Sequence, residues 1–366
     1  MGRFLLLALA LLLPAVAYAA DDAFHVANWN VENLFDTVDD PDNPYDDEFL
    51  PNNPTTRWTR ARFETKLDNL ARVISGMNHG QGPDLLGLQE VENRYVLEEL
   101  APRLPAKPYG IVHYDSPDPR GIDTALLYNR DLFTLRHSQA LPVALKWNRD
   151  TRDILQTVFE DRHGHILHVL VNHWPSRGGG PNTEFDRFTA ARTLAKTIER
   201  IFQRDSNAQV IVLGDFNDEP ASQSIRVVLD VHPFPSRSGY RPTALYNLAS
   251  RHSAQGWGSF FHSFRGDFEW RMYDQIIVSG SLLGQARIET DEAAFWIDKP
   301  AYMQDAGGRD KGSPVPTFEG QEFYRGGFSD HFPIGARFVF QPPAPSPERD
   351  RKPPAPPPDA NAPVRW

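Results

Sequence analysis

Two rhythms of apolar and polar positions run along this chain. In the first, short apolar runs break abruptly into polar clusters. Ile211-Val212-Leu213 stops at Gly214-Asp215-Phe216-Asn217, Leu85-Leu86-Gly87-Leu88 at Gln89-Glu90, and Val169-Leu170-Val171 at Asn172-His173-Trp174-Pro175. Continuous apolar runs of this length suit strands buried on both faces. Phe24 to Asn30 alternates instead and reads as a first strand whose end carries Asn30 and Glu32. In the second rhythm, Phe63, Leu67, Leu70, Ile74 and Met77 recur at spacings of four and three, which predicts an amphipathic helix over 57–77. Phe188, Ala191, Ala195, Ile198 and Phe202 predict another over 184–202. Strand pairs are expected at 109–114 with 122–128 and at 156–160 with 165–173, and further strands at 209–214, 258–264, 270–278 and 332–340. Many strands with few, dispersed helices imply two packed sheets covered by helices.

The two ends do not share these rhythms. Met1-Gly2-Arg3, an apolar run from Phe4 to Leu13 and Ala17-Tyr18-Ala19 predict a secretory signal peptide over 1–19, cleaved after Ala19 or Ala20. The run is too short to span a membrane. From 341 to 366 the chain is proline-rich without apolar periodicity, an extended solvated tail. Between them, residues 20–340 read as one large domain of a secreted or periplasmic protein. With no cysteine, it must hold together without disulfides, which a core of this size can do.

The formal net charge is -10, which excludes a generally basic nucleic-acid binder but not a phosphoester site built around a divalent cation. Much of the acidity lies in one loop over 36–54, with Asp36, Asp39, Asp40, Asp42, Asp46, Asp47 and Glu48. Its spacing does not fit an EF-hand, and a solvated loop is the expectation there, with a calcium site as the alternative.

The polar clusters at the strand ends carry the chemistry. In chain order they are Asn28-Trp29-Asn30-Val31-Glu32-Asn33, Gln89-Glu90, Asn172-His173-Trp174, Gly214-Asp215-Phe216-Asn217, and the pair Tyr273-Asp274 with Ser329-Asp330-His331. This set resembles the endonuclease/exonuclease/phosphatase superfamily over roughly residues 24–340. The resemblance implies an α/β, four-layer α-β-β-α sandwich of two mixed sheets, with the active site where the loops of both sheets meet. It also implies a metal-dependent phosphodiester hydrolase, with Mg2+ as cofactor and Mn2+ or Ca2+ as alternatives.

In that reading His331 is the general base, oriented by Asp274, and His173 contacts the scissile phosphate and helps protonate the leaving oxygen. Asp215 and Asn217 orient the water and assist the leaving group. Glu90 is the leading metal ligand, joined by Asn30, Glu32 and Asp330. Arg120, Arg177 and Trp174 are the expected substrate contacts. Ser176-Arg177-Gly178-Gly179-Gly180 reads equally as a phosphate-wrapping loop or a flexible connector. The expected substrate is DNA or RNA, with Arg57, Arg60 and Arg62 along the path and Trp58 stacking on sugar or base. A phospholipid head group is the alternative, and a binding protein without catalysis the rival from another class. No stable protein partner is expected, and the chain reads as a monomer.

Overall fold

The computed structural model describes residues 22–341, apart from 42, 44, 45, 181, 182, 235–238, 265, 266, 285, 286, 291–293, 309, 321 and 322. The expected signal peptide and nearly all of the proline-rich tail lie outside the described residues.

The first half supplies β1 (Ala23–Leu34), α1 (Arg60–Gly80), β2 (Leu85–Val91), α2 (Arg94–Leu100), β3 (Tyr109–His113), β4 (Asp123–Asn129), β5 (Phe133–Leu141), β6 (Ile154–Asp161) and β7 (Ile166–His173). The second half supplies α3 (Thr183–Arg204), β8 (Gln209–Asp215), β9 (Val231–Pro233), β10 (Leu245–Asn247), α4 (Ser250–Ala254), β11 (Phe260–Phe264), β12 (Asp267–Arg271) and β13 (Asp274–Ser279). It ends with β14 (Ile288–Glu289), β15 (Phe295–Ile297), β16 (Phe318–Glu319), β17 (Phe323–Tyr324) and β18 (Ile334–Phe340).

One sheet runs β14-β18-β1-β2-β4-β3, with β15 also on β18. The other runs β5-β6-β7-β8-β13-β10-β9. Both are mixed. β1 and β2 are parallel and joined through α1, and β7 and β8 are parallel and joined through α3, while the flanking central pairs are antiparallel. Parallel neighbours need a crossover of this length.

Three buried clusters show the four layers. Val26, Leu85, Val169, Val171, Ile211 and Leu213 meet between the sheets. Ala27, Trp29, Leu86 and Leu88 face α1 through Phe63, Leu67, Leu70 and Ile74. Leu170 and Val212 face α3 through Ala191, Leu194 and Ile198. Successive strand residues alternate between clusters, so both faces need apolar side chains. That is why these strands read as unbroken apolar runs.

Several expected boundaries move for local reasons. α1 starts at Arg60 because Arg57 takes a positive φ and its N–H bonds back to the Asn53 carbonyl. Its helical dihedrals stop at Met77, where the apolar face was expected to end. The expected strand 270–278 is two strands. β12 pairs with β11 in a separate hairpin and β13 pairs with β8, and the break at Met272-Tyr273 is held by the Glu219 carboxylate and by Phe216. β5 and α2 were not foreseen. β5 is a largely exposed edge strand, and α2 is only seven residues long.

Candidate active site

Three places where the chain departs from regular strand geometry bring the polar clusters together. β1 shifts register between Asn30 and Leu34, with Glu32 and Asn33 at positive φ. β2 shifts between Gln89 and Val91, with Glu90 at φ 62°. Such bulges re-aim a side chain at the cost of about 1–3 kcal/mol of backbone strain. At the end of β8, a β-carbon on Gly214 would lie 2.1 Å from the Asn172 carbonyl oxygen, so only glycine permits that approach.

The sheets are stitched by side chains at this end. Asn28 Nδ2 donates to Gln89 Oε1 (3.0 Å) within its own sheet and to Asp274 Oδ1 (3.1 Å) of the other. Asn30 Nδ2 donates to Asp215 Oδ2 at 3.0 Å, again across the sheets, and to Glu90 Oε1 at 3.5 Å. Asp274 is buried and takes a further hydrogen bond from Ser259 Oγ at 2.6 Å.

His331 Nδ1 donates to Asp274 Oδ2 at 2.6 Å. Its backbone is pinned by β1: Trp29 Nε1 donates to its carbonyl, and its N–H donates to Ser329 Oγ, which itself donates to the Asn30 carbonyl. Its free nitrogen, Nε2, lies 3.8 Å from Asp215 Oδ2 and 4.0 Å from Asp330 Oδ1. His173 Nε2 approaches the same Asp215 oxygen from the other side (3.7 Å) and Glu90 Oε1 at 3.9 Å. Two imidazoles therefore flank one carboxylate. Asn217 completes the cluster: its N–H donates to Asp215 Oδ1, and its Nδ2 donates to the Trp174 carbonyl.

The electrostatics divide the histidines. Burial, with Arg152, Arg120 and His331 nearby, holds the His173 imidazole well below the usual value, so it is neutral. Burial works the same way on His331, but the carboxylates of Asp274, Asp330 and Asp215 outweigh it and lift the imidazole well above that value. His173 is thus the neutral imidazole, and His331, expected as the general base, can serve as one only once that negative charge is compensated. Burial also pushes Asp215 up to about 6 despite His331, with Asp274 adding to the rise. Burial would raise Glu90 too, yet the charges of Arg120, His331 and Arg152 and the Asn33 N–H prevail, and its carboxyl lies below the usual range.

An ionised Glu90 and the neighbouring Asp330 offer carboxylate oxygens, the donors a hard divalent cation prefers. Asn30, expected among the ligands, turns its Nδ2 to Glu90 and Asp215 while its Oδ1 accepts from the Glu32 N–H at 3.0 Å, so its amide must turn over to ligate. Glu32, expected among these ligands, is turned away. Its carboxylate accepts from the Thr317 N–H at 2.6 Å and pairs with buried Lys66 at 3.8 Å, and burial raises it to about 7 in spite of that lysine.

Of the expected substrate contacts, Arg120 reaches the site. Its Nη2 donates to Asn33 Oδ1 at 2.6 Å and approaches Glu90 Oε2 at 3.5 Å, and its side chain is 47 % exposed. Arg177 does not. Its guanidinium is engaged by Asp218 and by the Asn217 carbonyl, so Arg177 ties the segment after Pro175 to Asn217. Trp174 is 1 % exposed, packs edge-on against Phe216 and bonds Asn172, so its ring has no face for a base. Trp58 is likewise core, bonded to the Phe35 carbonyl. Arg60 is paired with Glu64 and Glu99, and Arg62 lies over Tyr324, so no basic row leads to the site.

Sequence reasoning missed Arg152, which pairs with Asp118 at 2.9 Å, donates to the Trp174 carbonyl and places its charge near Glu90 and His173. Nothing around Arg152 in the sequence signals this. Asn28 and Ser259 were also missed, although Asn28 stands in the first motif.

Comparison with known proteins shows the family and the fold. The model of the Endonuclease/Exonuclease/phosphatase family matches residues 25–339. A search of curated proteins found no match. Among solved structures, an endonuclease/exonuclease/phosphatase family protein of Bacteroides thetaiotaomicron superposes with TM-score 0.53 at 16% identity, covering 88% of this chain and 100% of that one. TDP2 of D. rerio, complexed with a single-strand DNA product, gives 0.53 at 16% over 87% and 99%. A mannosyl-6-phosphatase of B. thetaiotaomicron gives 0.52 at 16% over 87% and 100%.

Proposed function

Because this chain belongs to the endonuclease/exonuclease/phosphatase family, we propose that it is a secreted or periplasmic, divalent-metal-dependent phosphodiesterase that cleaves nucleic acid. The observation that carries the reading is the pair of imidazoles flanking Asp215, one neutral and one cationic, with Glu90 and Arg120 beside them.

Glu90 and Asp330, with Asn30 once its amide turns over, would hold the ion, Mg2+ by preference and Mn2+ or Ca2+ as alternatives, and bound there it would neutralise charge on the phosphoryl oxygens. His331 Nε2, with its ring fixed through Nδ1 by Asp274, takes the proton of the attacking water. Positive charge near Asp330 and Glu90 favours the neutral ring this requires, because it offsets the carboxylates that hold its proton. His173 donates a hydrogen bond to the phosphate from Nε2, the nitrogen that faces carboxylate oxygens. Asp215 and Asn217 orient the water and the leaving oxygen, and Arg120 faces a phosphate. The DNA product bound to the structurally similar TDP2 supports nucleic acid as the substrate class.

One observation favours a phospholipid head group instead. Beside His331, the hairpin β11–β12 exposes Phe268, and the segment entering it exposes Trp257, 39% and 52% respectively. Exposed aromatics near a site suit a lipid surface. Direct competition separates the two: plasmid DNA, structured RNA and sphingomyelin vesicles are supplied with Mg2+ to one preparation. Cleavage of nucleic acid is expected. Fast vesicle hydrolysis with intact nucleic acid would overturn the proposal.

A further inference from the structure

The acidic loop after β1 contains a buried contradiction. Its ends are anchored: Phe49 stacks on Phe35 at 4.1 Å, and Trp58 packs edge-on against Phe49. Between them Asp46, expected to be solvated, is 1 % exposed. One of its oxygens, Oδ2, accepts from the Asp40 N–H at 2.7 Å. The other, Oδ1, is sealed from solvent and has no hydrogen-bond partner among the described residues. A buried carboxylate oxygen without a donor is costly and calls for a compensating group.

The segment 36–49 itself has seven carboxylates and neither lysine nor arginine to supply it. Instead, one oxygen each from Asp39, Asp46 and Asp47 lie within 4.8 Å of one another. Glu92 adds a further carboxylate, which accepts from the Asp36 N–H at 2.6 Å.

We propose that this loop binds a calcium ion through Asp39, Asp46 and Asp47, and that the ion orders the loop against the turn that carries Arg120. Calcium fits better than magnesium. It takes irregular sets of six to eight oxygens at about 2.4 Å, including loop carbonyls and water, whereas magnesium demands a near-ideal octahedron at about 2.1 Å. The link to Arg120 is steric. Asn43 packs so closely on Gly121 that a β-carbon there would lie 1.9 Å from its Nδ2. The loop and this turn share a cavity of about 730 Å³, whose wall includes Asp39, Asp40, Glu92, Asp115 and Asp118. Of the three ligands Asp39 lines this cavity, and neither Glu90 nor the site's histidines are in its wall.

The test is thermal unfolding against Ca2+ at constant Mg2+, on the whole chain. Wild type is expected to gain ~5 °C in Tm at a hundredfold excess over Kd. Cutting at Glu48 by a glutamate-specific protease should slow with the same midpoint. Asp46→Asn should abolish both effects. Asp39→Asn, at an exposed position where folding is safe, should move the midpoint up by ~10-fold or more and decides the matter if Asp46→Asn fails to fold. Glu90→Gln should keep both effects. The proposal falls if wild type shows no shift by ~10 mM Ca2+, the weak end for extracellular modules. It also falls if both aspartate variants respond like wild type, or if Glu90→Gln abolishes the response.

Discussion

Replacing Asp274 by asparagine tests the core of the proposed chemistry, because the change keeps shape and removes charge. Asp274 is fully buried and accepts three side-chain hydrogen bonds: from Asn28 Nδ2 on Oδ1, and from Ser259 Oγ and His331 Nδ1 on Oδ2. An amide cannot satisfy all three. With its oxygen toward Asn28, its NH2 faces the His331 Nδ1–H. Turned over, its NH2 faces the Asn28 NH2. In the first orientation the imidazole is driven to carry its proton on Nε2, the nitrogen that must accept one. Loss of a correctly poised base costs ~10²–10⁴ in turnover. Loss of a hydrogen bond to a buried charge costs about 1.5–3 kcal/mol, or ~3–6 °C in Tm for a chain of this size. The sign of the pH effect follows from the same geometry. Asp274 is the leading influence raising His331, so its removal lowers the imidazole, and the residual activity should extend to more acid pH. The assay is hydrolysis of bis-p-nitrophenyl phosphate with saturating Mg2+ from pH 5 to 9, on Asp274→Asn, His331→Ala and the double variant. The double variant should be no worse than His331→Ala, because the two residues act as a unit. Turnover within twofold of wild type for Asp274→Asn, or additive losses in the double variant, would refute the dyad.

Glu90→Gln should raise the Mg2+ concentration for half-maximal rate by ~100-fold, the upper end of what even indirect ligand partners cost; activity that survives both this change and chelation removes the metal from the mechanism. Gly214→Ala forces a β-carbon into the Asn172 backbone and should cost ~3 kcal/mol, seen as a fall of ~6 °C in Tm; an unchanged Tm contradicts the close strand approach. His25 is held down to about 4, first by burial, so the unfolded chain binds its proton between about 6.5 and 4 and the folded chain does not. The stability it contributes is complete above about 6.5 and is lost as pH falls through that window. Tm measured from pH 7 to 4.5 should therefore fall less steeply in His25→Gln than in wild type, and equal slopes would refute this. Deleting 344–366 should leave Tm and activity nearly unchanged, and a large fall in either would show that the tail docks.

Most of the layered fold was legible because it rests on period. Leu85 and Leu86, or Val169 and Leu170, serve opposite clusters, and the chain shows that as unbroken apolar runs. The convergence of Asn30, Glu90, His173, Asp215, Asp274 and His331 was legible as clusters at strand ends, since a strand end is a fixed point of a sheet. What stayed hidden depends on orientation. Glu32 and Glu90 both sit at bulges with positive φ, yet one faces Lys66 and the other the histidines. Trp174 and Arg177 closely follow His173 in sequence, but the chain turns there, burying the ring of one and engaging the guanidinium of the other with Asp218. Arg152 and Asp118 are an isolated buried pair from separate loops, and no local pattern marks a contact between residues so far apart.

The balance of charge at this site explains how an acidic chain fits a family that acts on phosphoesters. Glu90, Asp215, Asp274 and Asp330 converge on Arg120, Arg152 and the two imidazoles, of which only His331 gains a proton from its surroundings. Four carboxylates against two guanidiniums leave the cleft unfavourable for a phosphate anion unless positive charge is added. A protonated His331 supplies one such charge, but a ring that holds its proton firmly cannot accept another. Under the proposed function, a divalent ion held by Glu90 and Asp330 would meet both demands, reversing the sign seen by the phosphate and offsetting the carboxylates that keep His331 protonated. Removing Asp330 alone should mimic half of that effect. Asp330→Asn is therefore expected to shift the acid limb of the pH–rate profile to lower pH while weakening Mg2+ binding. A shift to higher pH would show that Asp330 does not help hold the His331 proton.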